Sequence, residues 1–203
     1  MKFMYTNEID KINFLKIKGI FEDSISLKKK SLNDPKLINS INNTCKLIKK
    51  TFSNNHKLFL AGNGGSAADA QHIAAEFVCK FEKERKAIPA LALTTDTSVL
   101  TAIGNDMGYE FLFSRQLEAL GSPGDLFIGI TTSGKSKNII NAFNKCKELK
   151  ISKVALCGSQ GNLSDLVDYA IEVPSSNTAR IQECHILIGH ILCSYLENIV
   201  ANG

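Results

Sequence analysis

The stretch from Leu58 to Glu76, LFLAGNGGSAADAQHIAAE, constrains the fold more than any other part of the chain. It begins with an apolar run that predicts a short buried strand. Glycines and one asparagine at positions 62–65 predict a tight turn, because glycine adopts positive φ at little cost. Ser66 and Asp69 then have the spacing of a capping box before an alanine-rich helix. Strand, glycine turn and helix N-terminus in this order are typical of an anion site, because free N–H groups and the helix dipole both favour a phosphate.

The same helix carries His72 and Glu76, which lie four residues apart and therefore share one face. Such a pair can supply two ligands of one metal ion, or a metal ligand beside a general base. At about 1.5 Å per residue, both groups lie roughly 9 to 15 Å beyond Ser66, a gap that an extended sugar phosphate can span. A surface histidine and a solvated carboxylate would have the same spacing, so the pair alone leaves both interpretations open.

Composition indicates an ordinary globular protein of 203 residues, with 44% hydrophobic and 22% charged residues and a mild net charge of +4. Lysines concentrate before residue 51 with few aromatic residues among them, so we expect solvated helix faces there and no nucleic-acid partner. The six cysteines form no CxxC pair and no secretory signal precedes them, which predicts reduced thiols and a cytoplasmic location. No apolar run approaches the roughly 20 residues of a membrane span, so no membrane association is expected.

Strand and helix signals alternate along the chain. The start signal Asn33-Asp34-Pro35 begins the second helix, and Gly19 is a candidate break in the first. Strands are predicted at 58–61, 89–93, 125–130, 152–157 and 169–173, the first two as buried strands. Helices are predicted at about 7–30, 35–52, 66–76, 97–103, 108–119, 136–149 and 178–200, with a turn at 104–106. Continuous apolar strands alternating with helices predict an α/β fold with a parallel sheet covered on both faces.

A second informative loop runs from Thr131 to Ser136, TTSGKS, directly between a strand and a helix. Hydroxyls with nearby backbone N–H groups can bind several phosphate oxygens at once. The loop is not a P-loop, because GxxxxGK[ST] is absent, and Lys135 either adds charge or faces solvent. Loops at the carboxyl ends of parallel strands share one rim, so we expect this loop to join those at Gly62, Thr94 and Gly158.

The last helix supplies a third group of polar residues. Gln182 and His190 lie two helical turns apart and can approach one ligand together. His190 stands among apolar residues, where a core histidine is the commoner role. Arg180 can serve the structure or an anion, whereas His185 and His56 are interpreted as structural or exposed.

Four segments in the right order, GNGGSAADAQHIAAEF, AIGNDMGYE, GITTSGKS and RIQECHILIGHIL, resemble the sugar isomerase (SIS) domain, most closely the phosphoheptose isomerases. The resemblance covers nearly the whole chain. It implies a three-layer α/β sandwich with a central parallel five-stranded sheet and extra N-terminal helices. It also implies a single SIS domain over 1–203, in which 1–55 is a helical segment that contributes to the oligomer and 56–203 is the α/β core with the C-terminal helix.

The resemblance further implies one zinc ion per subunit, held by His72, Glu76, Gln182 and His190. It implies a sugar phosphate substrate bound by Asn63, Gly64, Gly65, Ser66, Glu76, Asn105, Asp106, Thr131, Thr132, Ser133, Ser136 and Gln182. A homotetramer with sites shared between subunits is implied as well. Thr131 and Lys135 stand where many relatives have Ser and Asn, and the exchange of Ser for Thr keeps the hydroxyl. Ala179 stands where some relatives carry an acidic residue.

These enzymes convert sedoheptulose 7-phosphate to glycero-manno-heptose 7-phosphate on the route to ADP-heptose, for lipopolysaccharide core or a capsular heptose. An aldose–ketose isomerase needs an acid–base pair, and Glu76 and His190 are our candidates for these catalytic residues. The alternative is a non-catalytic SIS protein that binds a partner, as the DnaA initiator-associating protein does. That protein resembles a degenerate isomerase with neither a carboxylate nor a histidine at these two positions. Both are present here, which favours the enzyme.

Overall fold

A computed structural model of the chain describes residues 8–200, leaving aside the side chains at positions 8, 9 and 11. Five parallel strands form one sheet in the order β2-β1-β3-β4-β5. The strands are β1 (Leu58–Gly62), β2 (Ala90–Ala92), β3 (Leu126–Thr131), β4 (Ser152–Gly158) and β5 (Tyr169–Val173). The helices are α1 (Glu8–Leu32), α2 (Pro35–Ser53), α3 (Gly65–Val78), α4 (Thr97–Asp106), α5 (Leu112–Leu120), α6 (Lys137–Leu149) and α7 (Thr178–Val200), with a 3₁₀ turn at Tyr109–Phe111.

Two cores cover the two faces of the sheet, as alternate residues of each strand point in opposite directions. Leu58 and Leu60 of β1 belong to the core beneath α2, α3 and α7. Phe59 and Ala61 belong to the core beneath α4, α5 and α6. The predicted three-layer α/β fold with a five-stranded parallel sheet is therefore confirmed.

The first helix differs from its prediction in one respect and leaves a large apolar surface. It continues through Gly19 without a break, and position 7, where we placed its start, lies outside the described residues. Many apolar side chains of α1 remain exposed in the single chain: Ile12, Phe14, Leu15, Ile17, Ile20, Phe21, Ile25 and Leu32.

Asp34 caps α2 as predicted, because its Oδ1 accepts hydrogen bonds from the backbone N–H groups of Lys36 and Leu37.

The capping box predicted at Ser66 and Asp69 is wrong. The helix begins at Gly65, so the N-cap is Gly64, whose φ of 55° suits glycine, and no side chain caps the helix. Ser66 lies inside the first turn and is only 4% exposed. Asp69 has a buried Oδ2 without a hydrogen-bond partner among the described residues. Burial raises the pKa of this carboxyl group, and the nearby His72 opposes the rise.

Two further boundaries differ from the sequence predictions. The turn predicted at 104–106 is wrong, because α4 continues to Asp106 and the chain reverses at Gly108, whose φ is 108°. Gly104 therefore lies inside α4, two residues before the helix ends. The strand predicted as buried at 89–93 is shorter and lies at the edge of the sheet, where Leu91 is 41% exposed.

All six cysteines are free thiols, and five of them are buried. Burial raises the pKa of Cys146, Cys157 and Cys193 to about 12, so these thiols stay protonated. Within residues 8–200, no helix is both long enough and apolar enough to cross a membrane.

Candidate active site

The candidate site lies where the carboxyl ends of the strands meet. Gly62 at the end of β1 pairs with Ile130 of β3, and Thr131 pairs with Cys157 of β4. The glycine turn after β1 and the hydroxyl loop after β3 are thus neighbours at one rim, as the sequence predicts. Crevices outside the carboxyl ends of parallel strands are the usual ligand sites of such sheets.

A polar cluster joins the glycine turn to its neighbours. The side-chain amides of Asn63 and Asn138 exchange two hydrogen bonds, of 2.9 and 2.8 Å. The hydroxyl of Tyr109 donates to Asn63 Oδ1 at 2.9 Å. Sequence analysis missed Asn138 and Tyr109, although both lie close to motifs that it singled out. The cluster orients Asn63 at the mouth of a cleft of about 340 Å³ that Gly62, Gly64, Thr94 and Thr101 also line.

The hydroxyl loop is held by its own side chains. Thr131 is buried, and its Oγ1 lies 3.1 Å from the Ser136 hydroxyl. Ser133 Oγ accepts a hydrogen bond from the backbone N–H of Lys135 at 3.2 Å, while the Lys135 side chain is exposed. Ser136 is the N-cap of α6 but makes no side-chain capping bond, which leaves N–H groups of that helix end available to an anion. Ser136 also lines a second cleft with Asn63 and Tyr109.

The two predicted polar residues of α4 lie at the end of that helix. Asn105 Nδ2 donates to Asp106 Oδ1 at 2.7 Å, and both side chains are exposed. Tyr109, three residues further on, reaches the glycine turn through Asn63. The structure therefore places this segment beside the cleft, with the two side chains bonded to each other.

Helices α3 and α7 pack side by side and run in the same direction. A Cβ at Gly65 would overlap the side-chain amide of Gln182, and a Cβ at Gly189 would lie 2.5 Å from Ile73 Cδ1. From the first contact to the second, the residue number rises on both helices, so α3 and α7 are parallel. Gln182 is consequently held against the N-terminal turn of α3, where the phosphate site is predicted.

This packing brings His72, Glu76 and His190 together. The Nε2 atoms of the two histidines lie 3.0 Å apart, and His72 Nε2 lies 3.3 Å from Glu76 Oε1. Their ligand atoms all lie within 4.8 Å of one another. Gln182 lies two turns before His190 on the same helix, toward the glycine turn. Three of the four predicted metal ligands thus form one cluster, with the fourth beside the predicted phosphate site.

The donor set fits a divalent transition metal. Two imidazole nitrogens and a carboxylate oxygen are ligands that zinc takes, with bonds of about 2.0 to 2.2 Å. Such bonds in tetrahedral geometry separate neighbouring ligand atoms by roughly 3.4 Å, close to the observed 3.0 and 3.3 Å. The His72 side chain is 49% exposed, so a ligand can reach the cluster from solvent.

Three other polar residues from the sequence analysis lie outside the cluster. His185 is fully buried, and burial lowers its pKa to about 4, although the carbonyl of Cys157 acts in the opposite sense. Its ring is therefore neutral at pH 7. Arg180 donates to the Ile20 carbonyl and to Glu183, which ties α1 to α7. His56 lies half-buried beside Asp125, at the amino ends of the strands, whereas the rim lies at their carboxyl ends.

Comparison with known proteins assigns the chain to one family by sequence and by structure. Residues 13–158 match the SIS domain family model. The chain is 56% identical over 182 residues to phosphoheptose isomerase 2 of Campylobacter jejuni, covering 89% of this chain and 90% of the relative. It is 54% identical to the phosphoheptose isomerase of Aneurinibacillus thermoaerophilus over 91% of this chain and 93% of the relative. The solved structure of a phosphoheptose isomerase from Francisella tularensis superposes with a TM-score of 0.87 at 38% identity, over 92% of this chain and 98% of that one.

Proposed function

Because the chain belongs to the phosphoheptose isomerase family of SIS-domain proteins, we propose that it interconverts sedoheptulose 7-phosphate and glycero-manno-heptose 7-phosphate at the cleft described above. The observation that carries this proposal is the convergence of His72, Glu76 and His190, two to three turns along the helix that begins at the glycine turn. A phosphate site and an acid–base cluster are both required by the reaction. Helix α3 begins at the proposed phosphate site and carries His72 and Glu76 at a separation that suits an extended sugar phosphate, while α7 contributes His190.

The phosphate end of the substrate is assigned to the rim. The N-terminal turns of α3 and α6 supply backbone N–H groups and favourable dipoles. Hydroxyls of Ser66, Thr131, Thr132, Ser133 and Ser136, with the backbone of Gly64 and Gly65, complete the cradle. Asn63, Asn105 and Asp106 are assigned to the hydroxyl groups of the sugar, which amides and carboxylates bind well.

Proton transfer is assigned to Glu76 and His190. The Glu76 carboxylate removes a proton from C1 of the ketose, while His190 donates a proton to the carbonyl oxygen on C2, which yields a cis-enediol. Glu76 then returns the carbon-bound proton to C2, and the O1 hydroxyl gives its proton to His190 as the C1 aldehyde forms. The bonds and protons balance, and both groups end the cycle as they began it.

Zinc is the metal proposed for the cluster, with His72, Glu76, Gln182 and His190 as its holders. When bound, it supplies Lewis acidity that polarises the substrate carbonyl and stabilises the negative charge that develops on the oxygens. The imidazole of His190 has two nitrogens, so Nε2 can serve as a ligand while Nδ1 carries the proton. Gln182 is a neutral ligand, which preserves the positive charge of the centre.

The test is to follow aldose formation from sedoheptulose 7-phosphate by NMR, with the protein as purified, with added zinc and after chelation. We expect turnover that chelation removes and zinc restores. Turnover untouched by chelation would retain the isomerase and remove the metal from its mechanism. If no aldose forms under any condition while the protein stays folded, the isomerase proposal fails.

A homotetramer is proposed from the apolar surface of α1. Exposed apolar side chains such as Ile17, Ile20 and Phe21 are unusual on a surface that faces solvent. An apolar groove between α1, α2 and α7, lined by Leu37, Ile41 and Ile188 among others, continues this surface. Sedimentation equilibrium should give a mass of four chains, and Phe21→Asp should yield smaller species. A monomer in the unmodified protein would contradict the proposal.

A further inference from the structure

A buried ion pair lies directly behind the candidate metal centre. Arg85 Nε lies 3.4 Å from Glu197 Oε1, and both side chains are only 2% exposed. Burying two charges costs desolvation energy, so such a pair is weak evidence for stability by itself. The bonds that each partner makes to the chain around it point to a more specific role.

Arg85 holds the C-terminal end of α3. Its Nη2 donates to the carbonyl of Glu76 at 2.5 Å, and its Nη1 donates to the carbonyls of Phe77 and Cys79 at 2.8 and 3.2 Å. The last carbonyls of a helix have no partners within the helix, and a cation there also complements the helix dipole. The guanidinium therefore fixes the backbone of the turn from which the Glu76 side chain extends.

Glu197 holds the segment that follows α3. Its oxygens accept backbone hydrogen bonds from Phe81, Glu82 and Lys83 at 2.9, 2.6 and 2.9 Å. Burial acts to raise the pKa of Glu197, but these bonds and the charge of Arg85 outweigh it and lower the pKa. Hydrogen bonds to a charged acceptor are among the stronger ones in proteins, so the segment is held firmly against α7.

That segment brings Phe81 against a predicted metal ligand. The rings of Phe81 and His190 stack at a centroid distance of 5.3 Å and an interplanar angle of 26°. His190 and Glu197 are seven residues apart on α7, two helical turns, and so share one face. The Glu197 carboxylate thus positions the Phe81 ring that packs on His190, while Arg85 positions the backbone of Glu76.

We propose that Arg85, Glu197 and Phe81 are positioning residues that hold Glu76 and His190 at metal-binding distance. None of the three is among the predicted metal or substrate ligands, so they act through Glu76 and His190. Partners behind metal ligands typically alter metal affinity by about 10- to 100-fold when removed. The inference rests on the proposed function, since it assumes that the cluster binds a metal.

The test measures the affinity of the full-length protein for Co²⁺ and Zn²⁺ by competition with a chelator. We expect Glu197→Gln and Phe81→Leu each to weaken binding by about 10- to 100-fold. Phe81→Leu leaves the ion pair intact, so it remains informative if Glu197→Gln does not fold. A change in the visible absorption of bound Co²⁺ should accompany the loss, because ligand geometry determines that spectrum.

Asp125→Asn is the matched control. Asp125 is 1% exposed and accepts backbone hydrogen bonds from Lys57 and Ser122 at 3.0 and 2.9 Å, besides its ion pair with Lys57 Nζ at 2.9 Å. These contacts and the neighbouring His56 involve none of Arg85, Glu197, Phe81 or the candidate metal ligands. We expect it to lower stability and leave the Co²⁺ affinity and spectrum unchanged.

Two outcomes would overturn the inference, and they are distinguishable. If Glu197→Gln and Phe81→Leu lose stability but bind Co²⁺ within twofold of the unmodified protein, as Asp125→Asn should, the ion pair is structural only. The metal centre itself is refuted if the unmodified protein binds no Co²⁺, or if its Co²⁺ binding survives in His72→Ala.

Discussion

Glu76→Gln should reduce turnover of sedoheptulose 7-phosphate by about 10²- to 10⁴-fold, the range that a general acid–base group contributes. The amide has nearly the shape of the carboxylate but cannot accept the carbon-bound proton. It is also a weaker metal ligand, so zinc affinity should fall as well. Initial rates from the NMR assay measure the first effect, and chelator competition measures the second.

The fold should survive this substitution. The Glu76 side chain is 22% exposed and lies at the cluster, whereas its backbone carbonyl accepts the Arg85 hydrogen bond that the variant retains. Thermal unfolding and oligomer mass should therefore match those of the unmodified protein. Glu118→Gln is the control, since Glu118 is an exposed carboxylate paired with Arg115 on α5, outside the site. A Glu76→Gln variant with turnover within tenfold of the unmodified enzyme would refute the assigned role.

The main architecture could be predicted because its signals are local. Continuous apolar runs mark the buried strands, and α7 has the bounds that we predicted from its apolar stripe, Thr178 to Val200. Asp34 and Pro35 mark the start of α2 by capping chemistry alone. The order of the strands depends on which non-local contacts form, and no local pattern in the sequence encodes it.

Boundaries failed where tertiary packing decides them. Gly104 resembles a helix terminator, yet α4 continues to Asp106, and Gly108 makes the turn instead with its positive φ. Gly64 replaces Ser66 as the N-cap of α3, since the glycine turn enters the helix with a positive φ. A capping pattern in the sequence cannot distinguish these two starts, which differ by two residues.

The site residues also divide into those that a local pattern predicts and those that only tertiary packing brings together. The pairing of His72 with Glu76 follows from their spacing within one helix, but their meeting with His190 depends on how α7 packs on α3. The sequence analysis connected them only through the family resemblance. Arg85 and Glu197 were missed, because an arginine within the charged run 80–86 has the pattern of a solvated loop. Only their buried ion pair and the hydrogen bonds that they make in the folded chain reveal their role.

The contact between Gly65 and Gln182 gives the second large prediction. A Cβ at position 65 would overlap Gln182 Nε2 and lie 3.0 Å from its Cδ. The overlap involves the flexible end of a side chain, so α3 can tolerate the methyl group while the amide must move. We expect Gly65→Ala to lower turnover by about 100-fold, the cost of misplacing a ligand by roughly 1 Å, with little loss of stability.

A double-mutant cycle separates this mechanism from a direct effect on the phosphate site. If Gly65→Ala acts by displacing Gln182, then Gln182→Ala should lower turnover by a similar factor, and the double variant should lose little more than either single one. Multiplicative losses would mean that the methyl group disturbs the phosphate cradle independently of Gln182. Unchanged turnover in Gly65→Ala would show that Gln182 need not occupy this position, which would remove it from the proposed metal and substrate ligands.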